Sequence, residues 1–233
     1  MRNAIVVLTG LGLLAARAEG QAAPLELLNR AIARAGGMEA LRANPLLEWR
    51  ASATIHIPGR TIEIAGEWSV HPDSAVSSTW LRDQPNAPRR LILTGHGGWT
   101  QRGDAAPAVM PPELLVEERH QFYLYQVLRL VPLLDPAFTL STDVTDSLGR
   151  TALRVAHANN PDVILYLDRD FRVAALHTVF AAPDMTSPES QQIELTGEVA
   201  SQGIRWFKDM KILRAGQPYF DMTITEFQAK ASH

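Results

Sequence analysis

The residues able to do chemistry are few and scattered. Glu117-x-x-His120 has the spacing with which carboxylate di-metal bundles hold their ions, both side chains sharing one helical face. Such a centre needs a second copy and two more glutamates on neighbouring helices, which a chain this poor in helix does not offer, so the pair is read as a surface ion pair. His56, His71, His96, His157 and His177 stand singly on strands and turns, and none has the i, i+4 spacing of a zinc helix. His177 shares an apolar phase with Val173, Ala175 and Val179 and is expected in the core, hydrogen-bonded. Asp168 and Asp170 fall in a turn, DRDFR, where aspartate serves the backbone. Gly95-x-Gly97-Gly98 opens toward Trp99 and a strand, which makes it a hairpin turn and not a phosphate cradle. There is no nucleophile elbow, phosphate loop or dinucleotide fingerprint. No catalytic residue, metal ligand or cofactor is expected.

Composition narrows the classes further. The 233 residues are 46% apolar and 20% charged, with 15 Gly, 15 Pro and no Cys. That excludes collagenous and disordered chains and, without thiols, disulfides, thiolate metal sites and a lipid-modified N-terminal cysteine. A formal charge of −3 gives no electrostatic reason to bind nucleic acid.

Met1-Arg2, the apolar run Ala4–Ala16 and the small-x-small exit Ala16-Arg17-Ala18 have the form of a secretory signal. The run is shorter than the roughly 20 apolar residues that span a bilayer. Residues 1–18 are expected to be cleaved on export to the periplasm, leaving 19–233 as one domain. Loss of Arg2 and Arg17 leaves 20 basic against 25 acidic side chains, a formal charge of −5.

The remaining chain reads as helical pieces set into many strands. Pro24–Ala43 carries Leu25, Leu28, Ile32 and Leu41 at helical spacing, interrupted by Gly36-Gly37. From Leu47 the period changes to two. Leu47, Trp49, Ala51, Ala53, Ile55 and Ile57 alternate with polar residues, and beyond Pro58-Gly59 so do Ile62, Ile64, Gly66, Trp68 and Val70. Further strands are predicted at 75–81, 90–94, 99–101, 138–144, 152–156, 163–167, 173–180, 193–199, 204–213 and 219–227. Short turns between them imply an antiparallel meander. One helix interrupts it: Pro111-Pro112 and Glu113–Val131, polar in its first half and apolar almost all round in its second.

Trp49, Trp68 and Trp206 share strand phases with aliphatics and should face inward. A sheet of about eleven strands has a wider apolar face than one or two helices can seal. If it curls, the concave face forms a cavity, and the apolar stretch around Phe122–Val131 of the helix near 112–131 becomes its plug or lid. The expected cavity residues are Trp49, Ile62, Ile64, Trp68, together with Phe122, Tyr125, Leu128 and Trp206.

The helix with the break ARAGGMEALRA, Trp49 in a long first strand, the inserted helix and the last hairpin, GIRWFKDMKILRAGQPYFDMTITEF, resemble the LolA/LolB superfamily of lipoprotein-localisation factors and related periplasmic lipid-binding proteins. The resemblance implies a mainly β fold with a few helices: an open, curled antiparallel half-barrel of about eleven strands, covered by an N-terminal helix and the inserted lid helix. It also implies a cavity that takes lipid or lipoprotein acyl chains without catalysis. Arg50 and Arg60 are read as a solvated strand face, and the family's lid-closing arginine is not carried onto either. The expectation is a soluble, monomeric periplasmic carrier that neither spans the membrane nor binds nucleic acid. Its alternative is an envelope interaction or sensor module with a filled core, docking a partner protein through the aromatic half of the inserted helix.

Overall fold

The computed structural model describes residues 11–142, 150–181 and 187–231, with side chains from residue 23 onward. The start of the expected signal, residues 1–10, lies outside these, as do the end of the strand expected at 138–144 and the turn at 148–149. The elements in chain order are helices α1 (Leu11–Arg34) and α2 (Met38–Ala43), then strands β1 (Leu46–Ile57), β2 (Arg60–His71), β3 (Ser74–Leu81), β4 (Arg89–Thr94), β5 (Gly97–Arg102) and β6 (Ala108–Val109). Helix α3 (Pro112–Leu128) and a 3-10 turn (Val131–Leu134) follow. The second half holds β7 (Phe138–Ser141), β8 (Thr151–His157), β9 (Asn160–Leu167), β10 (Val173–Phe180), β11 (Glu189–Thr196), β12 (Val199–Ser201), β13 (Ile204–Trp206), β14 (Asp209–Arg214) and β15 (Gln217–Lys230).

Thirteen strands form one antiparallel sheet in the order β6-β5-β4-β3-β2-β1-β15-β14-β11-β10-β9-β8-β7. The two halves of the chain each make a meander, and β15 closes them together by pairing along β1 from Leu46↔Lys230 to Ile55↔Phe220. The ends β6 and β7 do not pair with each other, so the sheet is an open half-barrel. The fifteen described strands exceed the twelve stretches predicted because 193–199 and 204–213 each divide in two and one short strand, β6, is added. Between Thr196 and Asp209 the chain leaves the sheet as the separate β12–β13 hairpin, which carries Trp206 and Phe207 into the interior. Across its base, the Lys208 amide donates to the Thr196 carbonyl at 3.1 Å. The short β6 was not expected at all.

Helix α1 starts before the Pro24 chosen from sequence, and its Leu- and Ala-rich first residues favour helix upstream of the proline. The expected cleavage point at Ala18 therefore falls inside α1. Its end is the predicted Gly36-Gly37. The Gly37 amide reaches the Ile32 carbonyl (2.9 Å) and the Gly36 amide the Ala33 carbonyl (3.3 Å), a Schellman closure that needs the positive φ of 129° at Gly36. Glycine is required there twice over, since a Cβ would lie 2.4 Å from the Gly203 carbonyl oxygen. The helix packs on β7 and β8 and buries Leu28, Ala31 and Ile32.

Strand phases hold until a bulge shifts them. On β1 the inward residues are Leu47, Trp49, Ala51 and Ala53, as the alternation predicts. On β15 Met222 and Ile224 point in; the irregularity opposite Arg50/Ala51 then moves the inward phase to Phe227 and Ala229. On β10 a register shift between Val173 and Ala175 turns Leu176, Thr178 and Phe180 inward. His177 is consequently half-buried on the other phase beside the exposed Val179, which corrects its assignment to the core.

Candidate functional site

The centre of the concave face is filled by aromatic rings. Trp49 and Trp68 oppose each other across β1 and β2 and stack in parallel, centroids 6.4 Å apart with a 5° interplanar angle. Tyr125 of α3 meets Trp49 edge-on at 5.4 Å, and Trp206 leans against it at 6.4 Å. Gly66, two residues before Trp68, is the seat of this arrangement, because the Trp68 ring lies over its Cα.

This aromatic group divides the interior into separate spaces. A cavity of about 180 Å³ lies between the first half of α3 and the sheet, walled by Ile55, Ile64, Trp68, Leu91, Tyr125 and Phe220. A smaller one, about 60 Å³, adjoins it and shares Trp68, Leu91 and Tyr125 while adding Phe122. A third, about 50 Å³, sits under α1 and is lined by Leu128 and Trp206 among others. Six of the eight expected cavity residues line one of these three spaces: Ile64, Trp68 and Tyr125 the first, Phe122 the second, Leu128 and Trp206 the third; a larger, mostly polar open groove of about 460 Å³ is edged by Trp49 and Trp68 together with Glu48, Arg50 and Glu67. Trp49 is buried as the partition, 2% exposed, and Ile62 packs at the edge of the core without lining any of the three.

Helix α3 has two unlike ends. Pro112 at its start lacks the amide that would be orphaned in a first turn, and Glu113 complements the helix dipole. In its second half Tyr123, Leu124, Tyr125, Val127 and Leu128 are all buried. This half is anchored by polar groups too. Gln126 Nε2 donates to the His71 carbonyl (3.1 Å), and the buried Arg129 guanidinium donates to the carbonyls of Pro45 and Val70. Burial, with no counter-charge among its causes, lowers the Arg129 pKa to about 10. Beyond it Leu130, with φ 64° and ψ −46°, makes a tight γ-turn in which the Val131 amide reaches the Arg129 carbonyl at 2.7 Å. The apolar half of α3 is therefore a fixed wedge and leaves no open face for a docking partner. It is the half-polar first half that covers the cavity.

That first half is held mainly through Glu117. Its carboxylate accepts from Arg214 Nη2 (2.9 Å) and Tyr219 Oη (3.0 Å), while the Arg214 guanidinium lies over the Tyr219 and Phe180 rings at 3.6 and 4.1 Å. Glu117 therefore does not pair with His120, as the spacing suggested; its partners come from β14 and β15, 97 and 102 residues away. His120 packs edge-on against Phe180 at 5.3 Å with Nε2 buried and unpaired, and burial, reinforced by Arg214, lowers its pKa to about 4. Glu118 lines both α3 cavities. Burial first, and Glu117 second, raise its pKa to about 7, so near neutrality it is half protonated in an apolar mouth. Among the described residues no cluster of three potential metal ligands occurs.

The remaining candidates are structural. Asp168 Oδ1 accepts the amides of Asp170 and Arg172, as its turn position predicts. Gly95 and His96 form the β4–β5 turn. Arg50 pairs with Glu67 and Glu226 on the exposed outer face. Sequence missed Glu117, Glu118, Arg214 and Tyr219 as a group because no local spacing joins them. Ile55, Leu91 and Phe220 lie on strands that sequence did predict, without being singled out as cavity residues.

No family model matches the chain, and no curated protein matches it in sequence. Solved structures do match in shape. A DUF1329 family protein from Desulfovibrio piger superposes with a TM-score of 0.59 at 8% identity, over 88% of this chain and 92% of that one. A LolA superfamily protein from Nitrosomonas europaea gives 0.58 at 6% identity, over 87% and 93%. A Vibrio parahaemolyticus protein domain described as outer membrane lipoprotein-sorting gives 0.51 at 9% identity, over 90% and 93%. Identities this low speak for the fold alone, and with the open thirteen-stranded sheet and its helices they establish that the chain has a LolA-like fold.

Proposed function

We propose that the chain is a periplasmic carrier that takes up an apolar ligand, a lipid or a lipoprotein acyl chain, between the first half of α3 and the sheet, without catalysing a reaction. The observation that carries this reading is the apolar cleft of Ile55, Ile64, Trp68, Leu91, Tyr125 and Phe220, closed by a half-helix that is only half-buried and is hydrogen-bonded to the sheet through Glu117. The fold shared with a lipoprotein-sorting domain supports it. In the same reading residues 1–18 are an export signal removed near Ala18, and 19–233 are the mature domain. No described helix is long and apolar enough to cross a membrane.

The volumes define how loading would work. At about 180 and 60 Å³ the two α3 cavities fall below the roughly 300–1,000 Å³ of ligand pockets, so this is the closed form. Lifting all of α3 would expose five large buried side chains at about 1.5–3 kcal/mol each, which is prohibitive. Lifting only the turns before Gln121 breaks the Glu117 contacts and the His120–Phe180 packing and uncovers the half-buried Leu114 and Leu115, but leaves those five buried side chains in place. The lid is then the polar half of α3, Glu117 its latch, and the aromatic half its hinge-side anchor; ligand binding shifts the population toward the lifted form.

Stopped-flow uptake of a fluorescent fatty-acyl probe tests this. Glu117→Gln should load the probe several-fold faster than the wild type while the fold is kept. A wild type that takes up no probe, or a variant that loads it no faster, would refute the carrier or the latch respectively.

A further inference from the structure

The cavity under α1 has a chemistry the α3 cleft lacks. Its walls combine Ala31, Leu128, Val173, Leu195 and Phe207 with three guanidinium groups, Arg34, Arg172 and Arg205, against the single carboxylate of Glu198. That carboxylate is already taken: Glu198 Oε2 accepts from Arg34 Nη2 at 2.7 Å, and this bond holds its pKa down and raises that of Arg34. Arg172 is committed to Asp168 at 2.9 Å. Two further donors on residues of the same wall have no acceptor. Arg34 Nη1 is buried without a partner, and so is the indole Nε1 of Trp206, a side chain only 7% exposed. An unmet buried donor costs about 1–3 kcal/mol, so an acceptor reaching these two from the cavity would relieve that cost at both.

We propose that this cavity is a second binding site, for a carboxylate carried on a short apolar stem. The carboxylate would accept from Arg34 Nη1 and Trp206 Nε1, with Arg205 supplying further positive potential from the exposed side. The stem would lie against Leu128, Leu195 and Phe207. Size agrees with this: about 50 Å³ compares with the 10–15 Å³ that a single water needs, which leaves room for a head of a few heavy atoms and no long chain. A cationic head would face three guanidiniums. A neutral one would accept from the same donors without drawing on the positive potential of Arg205. The site is separate from the α3 cleft, with which it shares no lining residue.

The indole N–H resonances give a readout that tells the two sites apart, since the chain has five tryptophans and Trp206→Phe identifies its own peak. Titration of the full chain with butanoate should move the Trp206 signal downfield and leave Trp68 unmoved. Butylammonium at the same concentration should move neither. Arg34→Gln should weaken butanoate about tenfold. Arg205→Met, which keeps an unbranched stem at this exposed wall position and removes the charge, should weaken it about threefold. Octanoate binding more tightly than butanoate at Trp206 would assign the site to the end of a longer chain, and equal affinities to a free short acid; both support the proposal. It is overturned if butanoate leaves Trp206 unmoved, if butylammonium acts equally, or if Arg34→Gln and Arg205→Met bind as the wild type does. A response of Trp68 alone would also overturn it, while supporting the cleft.

Discussion

Replacing Gly66 with alanine should unseat Trp68 and lower stability by about 1–2 kcal/mol. A Cβ at position 66 would lie 2.8 Å from the Ser78 carbonyl oxygen, 2.8 Å from Trp68 Cη2 and 2.9 Å from Thr79 Cγ2, where carbon contacts prefer about 3.5–4.0 Å. The Ser78 oxygen belongs to β3, which is paired on both edges, and cannot give way cheaply. Trp68 can move, and only into the cavities it lines. Overpacking of this kind costs about 1–3 kcal/mol. The stiffer unfolded chain returns about 0.4–1 kcal/mol, because Gly66 does not need a positive φ. With a urea slope of about 2 kcal/mol/M, the midpoint should fall by about 0.5–1 M at unchanged slope. The affinity for an acyl probe should fall with it. In a Trp68→Ala background the same change should cost measurably less, since one of the three clashes is gone. A Gly66→Ala midpoint equal to or above that of the wild type would refute the packing argument.

Acid stability should show two opposed groups on α3. The raised pKa of Glu118 makes the folded chain hold a proton that the unfolded chain releases, so its contribution grows as pH falls from about 7 toward 4.5. The lowered pKa of His120 acts the other way, and stability is lost as pH falls from about 6.5 toward 4. Glu118→Gln should therefore lose stability more steeply on acidification through pH 6.5–4.5 than the wild type, and His120→Gln less steeply, by urea unfolding at stepped pH; parallel profiles would contradict both assignments. Arg129→Met should lower stability by about 1–3 kcal/mol, because the Pro45 and Val70 carbonyls lose their donor, and amide exchange should rise in the second half of α3 before the sheet. An unchanged Tm would mean that the anchor lies elsewhere.

Much of this architecture is written in local patterns. The alternation from Leu47 to Val70, the Gly36-Gly37 stop and the proline-led helix at 112 each follow from residues within one element, and each stands where the pattern placed it. What escaped depends on partners far apart in the chain. Bulges move the inward phase of β10 and β15 by one residue, so His177 and Phe227 defeat a strict period of two. The β12–β13 excursion looks like two ordinary strands until the Thr196–Lys208 closure is known, and it puts Trp206 at a different space from the one its strand phase implied. The roles of the two halves of α3 were exchanged for the same reason: an apolar half-helix reads as a lid, yet its burial makes it the anchor. The latch at Glu117 needs Arg214 and Tyr219, and no spacing rule reaches across 97 residues.

The most direct measurement is native mass spectrometry of the protein purified from the envelope of its own source. A carrier of apolar cargo should arrive with a bound lipid or acyl-chain mass that survives gentle ionisation, leaves on unfolding, and is reduced in Gly66→Ala, whose displaced Trp68 crowds the cleft. The bare chain mass in repeated preparations, together with no uptake of an added acyl probe, would contradict the proposed function.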